Sequence, residues 1–351
     1  MKKIKVGTDF SGIGAPEQAL KNLGYDFEMV FACEIDKHAA RSYQEIHPEP
    51  PNKFYIDITK RDHKEVEPLD LYVAGFPCQS FSKAGKRKGW STDENGQPVD
   101  KRGTLFFEVA EFIQVNQPKV FILENVTGLL SHDNGRTYQT IIDILTNGGG
   151  TFNGQMSLDV FDDGLGCHVY AQVLNSKEHG VPQNRERIFI VGFKDFRPFS
   201  FPKSEPLKKR LKDVLETEVE EKYYLSDKNI KGFLKHKDHN IEVKSATKEG
   251  YEIAHHGDSI NFKNPNSETR RGRVGKQISQ TIEANNEVGV YADRIRRLTP
   301  LECWRLQDFP DEAFFKAQAI NSDTQLYKQA GNSITVRVIQ KIIQRIYETR
   351  N

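Results

Sequence analysis

The sequence predicts an α/β protein whose parallel sheet is covered by helices on both faces, with a smaller and irregular inserted domain. In the first half of the chain, short apolar runs alternate with amphipathic stretches of helical period. From about residue 196 the segments become short, charged and rich in turn residues. Strands that alternate with helices form parallel sheets, and such sheets bind ligands at the carboxyl ends of their strands.

The elements follow one another in a regular order. Residues 5–8 open as a strand, and a glycine-containing turn leads to a helix near 16–23, where Pro16 suits a first turn. Further strands are predicted at 28–33, 55–58, 69–74 and 120–123, with helices at 37–46 and 106–115. Helical periodicity returns at 300–307 and 336–347. These patterns divide the chain into 1–195, an insertion at 196–292, a connecting segment at 293–325 and a returning segment at 326–351.

Composition limits the possible functions. The chain has 351 residues, with 50 Lys and Arg against 49 Asp and Glu, so nucleic-acid binding would need local basic patches. The four cysteines lie far apart, which argues against a zinc site or a disulfide framework and fits a reducing compartment. The N-terminus lacks an apolar signal core, and no apolar run reaches membrane-spanning length. We therefore expect a cytoplasmic protein that contains no metal.

A reaction centre is indicated where three segments leave predicted strands. Cys78 lies on the turn after the apolar run 69–74, and Glu124 follows the run 120–123. Arg185 and Arg187 follow Val181 in the same manner. Each signal is weak by itself, because a lone cysteine is more often a buried apolar side chain than a nucleophile. Together, a thiol, a carboxyl and two guanidiniums near strand ends favour an active site.

The same segments resemble the motifs of the DNA cytosine-5 methyltransferases of bacteria and phages. The similarity extends from about residue 5 to about residue 343. The motifs occur in the family's order: DFSGIG at 9–14, PCQ at 77–79, ENV at 124–126, QNRER at 183–187, RLTPLEC at 297–303 and GNS at 331–333. The resemblance implies a Rossmann-like S-adenosylmethionine-dependent methyltransferase sheet with a target-recognition domain. It assigns 1–195 to catalysis and cofactor binding, 196–292 to target recognition, 293–325 to an anchoring hinge and 326–351 to the catalytic domain.

The activity implied is sequence-specific transfer of a methyl group to carbon 5 of a flipped-out cytosine in duplex DNA. By resemblance, Cys78 adds covalently to carbon 6, and Glu124 contacts ring nitrogen 3 and the exocyclic amine. Arg187 holds the base carbonyl oxygen, and Arg185 supports the catalytic loop. A lowered thiol pKa would assist Cys78, because the thiolate is the nucleophile.

The cofactor prediction begins with the G-x-G turn, which by itself is a weak sign of nucleotide binding. Glu34 follows the second strand, where a carboxylate commonly holds ribose hydroxyls, although it could simply cap the next helix. The resemblance identifies the ligand as S-adenosylmethionine. The predicted cofactor-binding residues are Phe10, Gly12, Gly14, Glu34, Ile35, Asp57, Ile58, Leu105 and Asn332.

Contacts with DNA are predicted on both sides of the active site. The loop 82–90 combines cations with glycine hinges, which suits a lid that closes on DNA. The cluster RRGRVGK at 270–276 is a candidate for base reading, whereas KKR at 208–210 is interpreted as a solvated face. Segments 91–101 and 148–166 look like insertions. The predicted DNA-binding residues are Phe76 (through its carbonyl), Ser82, Lys86, Arg87, Gln183, Arg273 and Thr281.

Two other functions stay open at this point. A transfer-RNA cytosine-5 methyltransferase would need the same cysteine, and a non-enzymatic DNA-binding protein could retain the fold. The expected partners are double-stranded DNA and a restriction endonuclease acting on the same site, with no membrane. The chemistry requires one chain, so a monomer is expected.

Overall fold

The computed structural model describes residues 3–49, 51–77, 105–146, 164–226, 232–237 and 240–348. Cys78 and the predicted DNA contacts Ser82, Lys86 and Arg87 lie outside these ranges, as does the rest of 78–104. The chain divides into two compact units. The first comprises Met1–Leu174, Glu186–Pro202 and Ile339–Asn351, and the second comprises Asn175–Arg185 and Lys203–Val338.

A seven-stranded sheet forms the centre of the first unit. Numbered in chain order, its strands are β1 (Ile4–Asp9), β2 (Phe27–Cys33), β3 (Lys53–Tyr55), β4 (Leu71–Ala74), β5 (Val120–Val126), β6 (His168–Asn175) and β8 (Glu186–Phe193). They lie in the order β3-β2-β1-β4-β5-β8-β6. The pairs from β3 to β5 are parallel, so the carboxyl ends of five neighbouring strands share one edge. This confirms the predicted fold class.

Three details of the sheet differ from the prediction. β8 runs antiparallel to β5, so the sheet is mixed rather than wholly parallel. β5 continues to Val126, because Val126 still pairs with Arg187, and Glu124 therefore lies within the strand and not after it. β3 ends at Tyr55, because the side chain of Asp57 accepts a hydrogen bond from the Thr59 amide and starts a short 3-10 turn, Ile58–Lys60.

Helices pack on this sheet: α1 (Ala15–Asn22), α2 (Lys37–Ile46), α3 (Leu105–Asn116) and α4 (Arg136–Thr146). α2 begins where expected, because the Asp36 carboxylate accepts hydrogen bonds from the first free amides, those of His38 and Ala39. The last helix, α8 (Val336–Glu348), contains the boundary between the two units. Aromatic and aliphatic residues of β4, β5, α3 and α4 form the main apolar core, with Phe106, Phe112 and Phe121 fully buried.

The second unit consists of short strands and helices. Its sheets have the orders β11-β10-β9, β13-β12-β15-β16 and β14-β7. The strands are β7 (Gln183–Asn184), β9 (Leu234–Lys237), β10 (Asn240–Lys244), β11 (Tyr251–Ala254), β12 (Ser259–Asn261), β13 (Val274–Gly275), β14 (Ser279–Gln280), β15 (Val288–Tyr291) and β16 (Ile295–Arg297). The helices are α5 (Pro300–Arg305), α6 (Asp311–Gln318) and α7 (Asp323–Asn332).

The segment 297–303, interpreted above as an anchor, makes buried polar contacts within the second unit. Thr299 and Glu302 form a capping box at the start of α5, with Pro300 in its first turn. The buried Glu302 carboxylate also accepts two hydrogen bonds from the Arg296 guanidinium, at 2.7 and 2.8 Å. The functional division at 195, 292 and 325 stays a prediction. In the described part of the chain, no helix is long and apolar enough to cross a membrane.

Candidate active site

The turn after β1 lies at the carboxyl edge of the sheet in a conformation that few residues adopt. Phe10, Gly12 and Gly14 have φ angles of 54°, 56° and 81°, in the left-handed region. A Cβ atom on Gly14 would lie 2.0 Å from Nε2 of His47, so a side chain there has no room. Gly14 is thus required by close packing against His47, whereas the Cβ position of Gly12 has open space around it.

Glu34 connects this turn to the end of β2. Its two carboxylate oxygens accept hydrogen bonds from the Gly12 and Asp36 amides, both at 2.8 Å. Asp36, and not Glu34, caps α2, which weakens the alternative that Glu34 is only a helix cap. Ser11 ties the same strands together, because its amide donates to the Cys33 carbonyl and its hydroxyl accepts from the Cys33 amide.

A buried ion pair that the sequence did not reveal holds Asp9, the residue directly before this turn. The Arg61 guanidinium donates two hydrogen bonds of 2.7 Å to the Asp9 carboxylate, and both side chains are fully buried. The Tyr72 hydroxyl donates to the same carboxylate at 2.6 Å. Arg61 also lies 4.3 Å from the ring centre of Phe31. In the sequence, Arg61 belongs to a charged stretch, and no pattern distinguishes it from a surface residue.

Several apolar side chains in or after the segments that leave β1, β2 and β3 keep exposed surface. Phe10 and Leu105 pack, partly exposed, against the main core. Ile35 is 70% exposed, which is unusual for a residue that directly follows a buried strand. Ile58, predicted to contact the cofactor, is instead a buried core residue, because the 3-10 turn directs it inward. Ile56 is 58% exposed and replaces it as the available apolar side chain.

These features fit an adenosyl ligand. An adenine ring needs apolar contacts, which Phe10, Ile35 and Ile56 can provide, and a ribose needs a carboxylate such as Glu34. Asp57 uses one carboxylate oxygen to accept from Thr59 and stays partly exposed. Asn332 is exposed at the end of α7 in the second unit, and its part in cofactor binding stays a prediction.

Farther along the same edge, Glu124 and Arg187 form an ion pair between β5 and β8. Nε of Arg187 lies 3.0 Å from Oε1 of Glu124, and the side chains are 16% and 12% exposed. The next residue, Asn125, is buried and donates from its amide to the Phe76 carbonyl at 3.3 Å. This bond joins β5 to the segment that leaves β4 toward Cys78.

Arg185 belongs to the second unit and is buried. Its guanidinium donates to the carbonyls of Ile282, Gly331 and Ser333 at 2.8 to 3.0 Å. It therefore holds three backbone segments together, which agrees with a supporting role better than with direct contact to a reacting atom. Its inclusion among the catalytic residues stays a prediction.

Two residues predicted to contact DNA form hydrogen bonds within the second unit. Gln183 is fully buried: its amide donates to the Leu306 carbonyl at 2.7 Å, and its oxygen accepts from the Ile282 amide at 3.0 Å. Its assignment to DNA binding is therefore corrected to a structural one. Thr281 is partly exposed and donates to the Asn184 carbonyl at 2.7 Å, so its DNA contact stays a prediction.

Arg273 is also corrected. Its side chain is completely buried, and its guanidinium donates to the carbonyls of Asn261, Lys263 and Asn264. A side chain in that position cannot reach a DNA groove without unfolding its surroundings. The sequence pattern identified a cluster of cations but could not show which of them faces inward.

The described cysteines are poor nucleophiles. Burial raises the pKa of Cys33 and Cys303 well above the ordinary thiol value, and it raises that of Cys167 to about 11. The thiolate fraction of each near neutral pH is therefore very small. Cys78, the remaining cysteine of the sequence, lies outside the described residues.

The fold is an α/β sheet whose carboxyl edge carries a glycine turn bonded to Glu34 and an ion pair of Glu124 with Arg187. A family model described as C-5 cytosine-specific DNA methylase matches residues 5–348, and the chain belongs to that family. This confirms the family resemblance found in the sequence.

Relatives are similar in sequence to this protein over nearly the whole chain. The orphan methyltransferase M.SPRI of Bacillus phage SPR is 32% identical, covering 99% of this chain and 98% of its own. The type II methyltransferase M.HpaII of Haemophilus parainfluenzae is 38% identical, covering 97% and 88%. Among solved structures, the Dnmt2 methyltransferase of S. pombe superposes with a TM-score of 0.66 at 18% identity, covering 99% and 100%. That last likeness supports the fold.

The protein is thus a DNA cytosine-5 methyltransferase, with S-adenosylmethionine as the methyl donor. Covalent catalysis through a cysteine is general in this family. Of the residues predicted from sequence, the structure places Phe10, Gly12, Glu34, Phe76, Glu124 and Arg187 in the first unit, where Gly12 bonds Glu34 and Glu124 pairs with Arg187.

Proposed function

We propose that the enzyme methylates cytosine within one short sequence of double-stranded DNA, with Cys78 as the nucleophile and the Glu124–Arg187 pair as the clamp on the flipped base. The observation that carries this proposal is the pair itself. It is shielded but still 12 to 16% exposed, at the same sheet edge as the turn that suits the cofactor. A shielded pair supports stronger electrostatic contacts than a solvated one.

The pair has the correct chemistry for one edge of cytosine. Arg187 uses Nε toward Glu124 and Nη1 toward the Glu186 carbonyl, at 2.7 Å. Nη2 has no partner among the residues that the structure describes, and it can donate to the carbonyl oxygen of cytosine. The Glu124 carboxyl group can contact ring nitrogen 3 and the exocyclic amine. These contacts stabilise the negative charge that develops on the ring, and they thereby make carbon 6 a better electrophile.

The Phe76 carbonyl is a second contact for the exocyclic amine. A carbonyl oxygen accepts two hydrogen bonds, and Asn125 supplies one of them. Because Asn125 adjoins Glu124, the bond also fixes the start of the Cys78 segment relative to the acid. We infer that it is a positioning contact, since approach geometry strongly affects the rate of bond formation.

The chemical sequence balances without a metal. The Cys78 thiolate forms a bond to carbon 6, which places electron density on carbon 5. Carbon 5 would then bond the methyl group of the cofactor as the methyl–sulfur bond breaks, and the sulfonium would leave as a neutral thioether. Loss of the carbon-5 proton to a base and elimination of the Cys78 thiolate restore the aromatic ring. A cytosine inside a duplex must first leave the stack, which requires a few kcal/mol.

Specificity for one sequence, action on duplex DNA, function as a monomer, a cytoplasmic location and a partner endonuclease remain predictions. M.HpaII is named a type II methyltransferase and M.SPRI an orphan methyltransferase. Relatives of this chain thus occur under both descriptions, and a partner endonuclease stays a prediction.

Bisulfite sequencing tests the proposal. Unmethylated duplex DNA of mixed sequence, made by amplification, is incubated with the protein and S-adenosylmethionine. We expect cytosines in one short context to resist conversion, and none to do so with Cys78→Ala, which should still bind the cofactor. Parallel incubation of transfer RNA tests the alternative substrate. Methylation of transfer RNA but not of DNA would overturn the proposal, as would full activity of Cys78→Ala.

A further inference from the structure

A buried arginine organises the base of an exposed loop in the second unit. The Arg273 guanidinium donates to the carbonyls of Asn261, Lys263 and Asn264 at 3.2, 2.9 and 2.7 Å. It also lies 4.8 Å from the ring centre of Phe233. Burying a cation is unfavourable unless hydrogen bonds compensate for its lost hydration. The three carbonyls provide such bonds here, and the same bonds fix the backbone where the loop begins.

Glu252 fixes the exit of the same loop. One oxygen of its carboxylate accepts from the Arg273 amide at 3.2 Å and the other from the Val274 amide at 3.1 Å. The Ser245 hydroxyl donates to it as well. The Arg270 carbonyl accepts from the Ala246 amide at 2.8 Å, so the loop also rests on the turn between β10 and β11. Both ends of the segment 264–272 are therefore held.

The segment between these anchors, which we call the staked loop (264–272), is mostly exposed. Arg271 lies near its end, followed by Gly272 at φ 66° with open space around its Cα. Nε of Arg271 donates to the Ala246 carbonyl at 2.6 Å. Its Nη1 and Nη2 have no partner in the part of the chain that the structure describes. The guanidinium is thus oriented by one nitrogen and presents its other two to solvent.

Two other exposed cations of the second unit have different partners. Lys276 contacts the Asp258 carboxylate and the Ile253 carbonyl. Arg294 forms a fork with the exposed Glu221, at 2.7 and 2.9 Å. Arg271 is distinguished from both, because its fixed nitrogen is bonded to a neutral carbonyl and no carboxylate of the described residues lies at hydrogen-bond distance from it.

We propose that the staked loop reads DNA sequence and that Arg271 recognises a guanine through its two outer nitrogens. A guanidinium fixed in this manner can donate two parallel bonds to O6 and N7 of guanine in the major groove. Orientation in advance reduces the entropy lost on binding. The proposal rests on the proposed function, since it assigns part of the specificity of that reaction to one residue.

The test compares methylation of a library of duplexes, randomised around the target cytosine, by wild type, Arg271→Ala and Arg271→Lys. Wild type should require guanine at one position. In Arg271→Ala this preference should fall by about ten- to a hundredfold while preferences at other positions persist, and lysine should not restore it, because it lacks the fork. Arg294→Ala removes an exposed cation that is already paired, and it should leave every preference unchanged.

Three results would overturn the proposal. A uniform loss of activity that Arg271→Lys restores would show a phosphate contact instead of base reading. Preferences unchanged in Arg271→Ala would show a solvated side chain. No methylation of any duplex by wild type would refute the proposed function and this inference together, which distinguishes that failure from the other two.

Discussion

The buried pair of Asp9 and Arg61 provides a sharp stability prediction for the first unit. Arg61→Met keeps most of the side-chain volume but leaves the Asp9 carboxylate buried without its guanidinium, although the Tyr72 hydroxyl still donates to it. Removing one partner of a buried ion pair destabilises a protein by about 3–5 kcal/mol. At about 2–4 °C per kcal/mol, the melting temperature should fall by roughly 6–20 °C.

A double-mutant cycle measures the pair itself. Asp9→Leu with Arg61→Met removes both charges, so its destabilisation should be smaller than the sum of the two single changes. Arg294→Met removes an exposed fork to Glu221 and should change the melting temperature little. The measurement is thermal unfolding of wild type, the two single variants, the double variant and the Arg294→Met control at one concentration and pH. A melting temperature for Arg61→Met within about 2 °C of wild type would refute the argument.

The same pair should influence the cofactor. Asp9 directly precedes Phe10, which starts the turn at φ 54°. In Arg61→Lys the charge remains but the two-pronged bond is lost. We expect the KM for S-adenosylmethionine to rise more than kcat falls, and saturating cofactor to recover part of the lost stability, because it binds the folded state. If an unrelated core variant changed KM and stability as much as Arg61→Lys does, a specific link between the ion pair and the turn would be contradicted.

Three other predictions concern the first and second units. Gly14→Ala should distort the turn and lower the melting temperature, since its Cβ would lie 2.0 Å from Nε2 of His47, and an unchanged melting temperature would contradict this. Burial raises the pKa of Glu17, so the folded state holds that proton to higher pH than the unfolded state does. The free energy of unfolding of wild type, measured with urea, should fall relative to that of Glu17→Gln as pH rises above about 4.5. Free energies that change in parallel with pH in the two proteins would contradict this. Arg185→Lys cannot span three carbonyls and should lower activity, whereas full activity would remove its supporting role.

Local signals in the sequence predicted the fold well where they are strong. The helix at 37–46 has the same bounds as α2, because Asp36 caps it and its apolar face has a clear helical period. The glycine turn and Glu34 likewise lie together, since parallel strands bring their carboxyl ends to one edge. The direction of β8 could not be predicted in this way, because an apolar run looks the same in either direction.

The errors at the site have one physical origin. A sequence shows which residues are charged but not which of them are buried, so Arg273 was chosen to read DNA although it supports a loop. Arg271, two residues earlier, carries the same charge and is exposed. Arg61 was missed for the same reason, because its partner Asp9 lies 52 positions away in the chain.

The most direct test of the account is covalent trapping on 5-fluorocytosine. Fluorine in place of the carbon-5 hydrogen blocks loss of the proton, so the bond between Cys78 and carbon 6 should persist once the methyl group is transferred. With a duplex carrying 5-fluorocytosine in the site found by bisulfite sequencing, we predict a denaturant-stable protein–DNA complex that requires S-adenosylmethionine. The crosslinked peptide should contain Cys78, and Glu124→Gln should slow its formation sharply. Methylation of the normal duplex without any such complex, or a crosslink to another cysteine, would contradict the account.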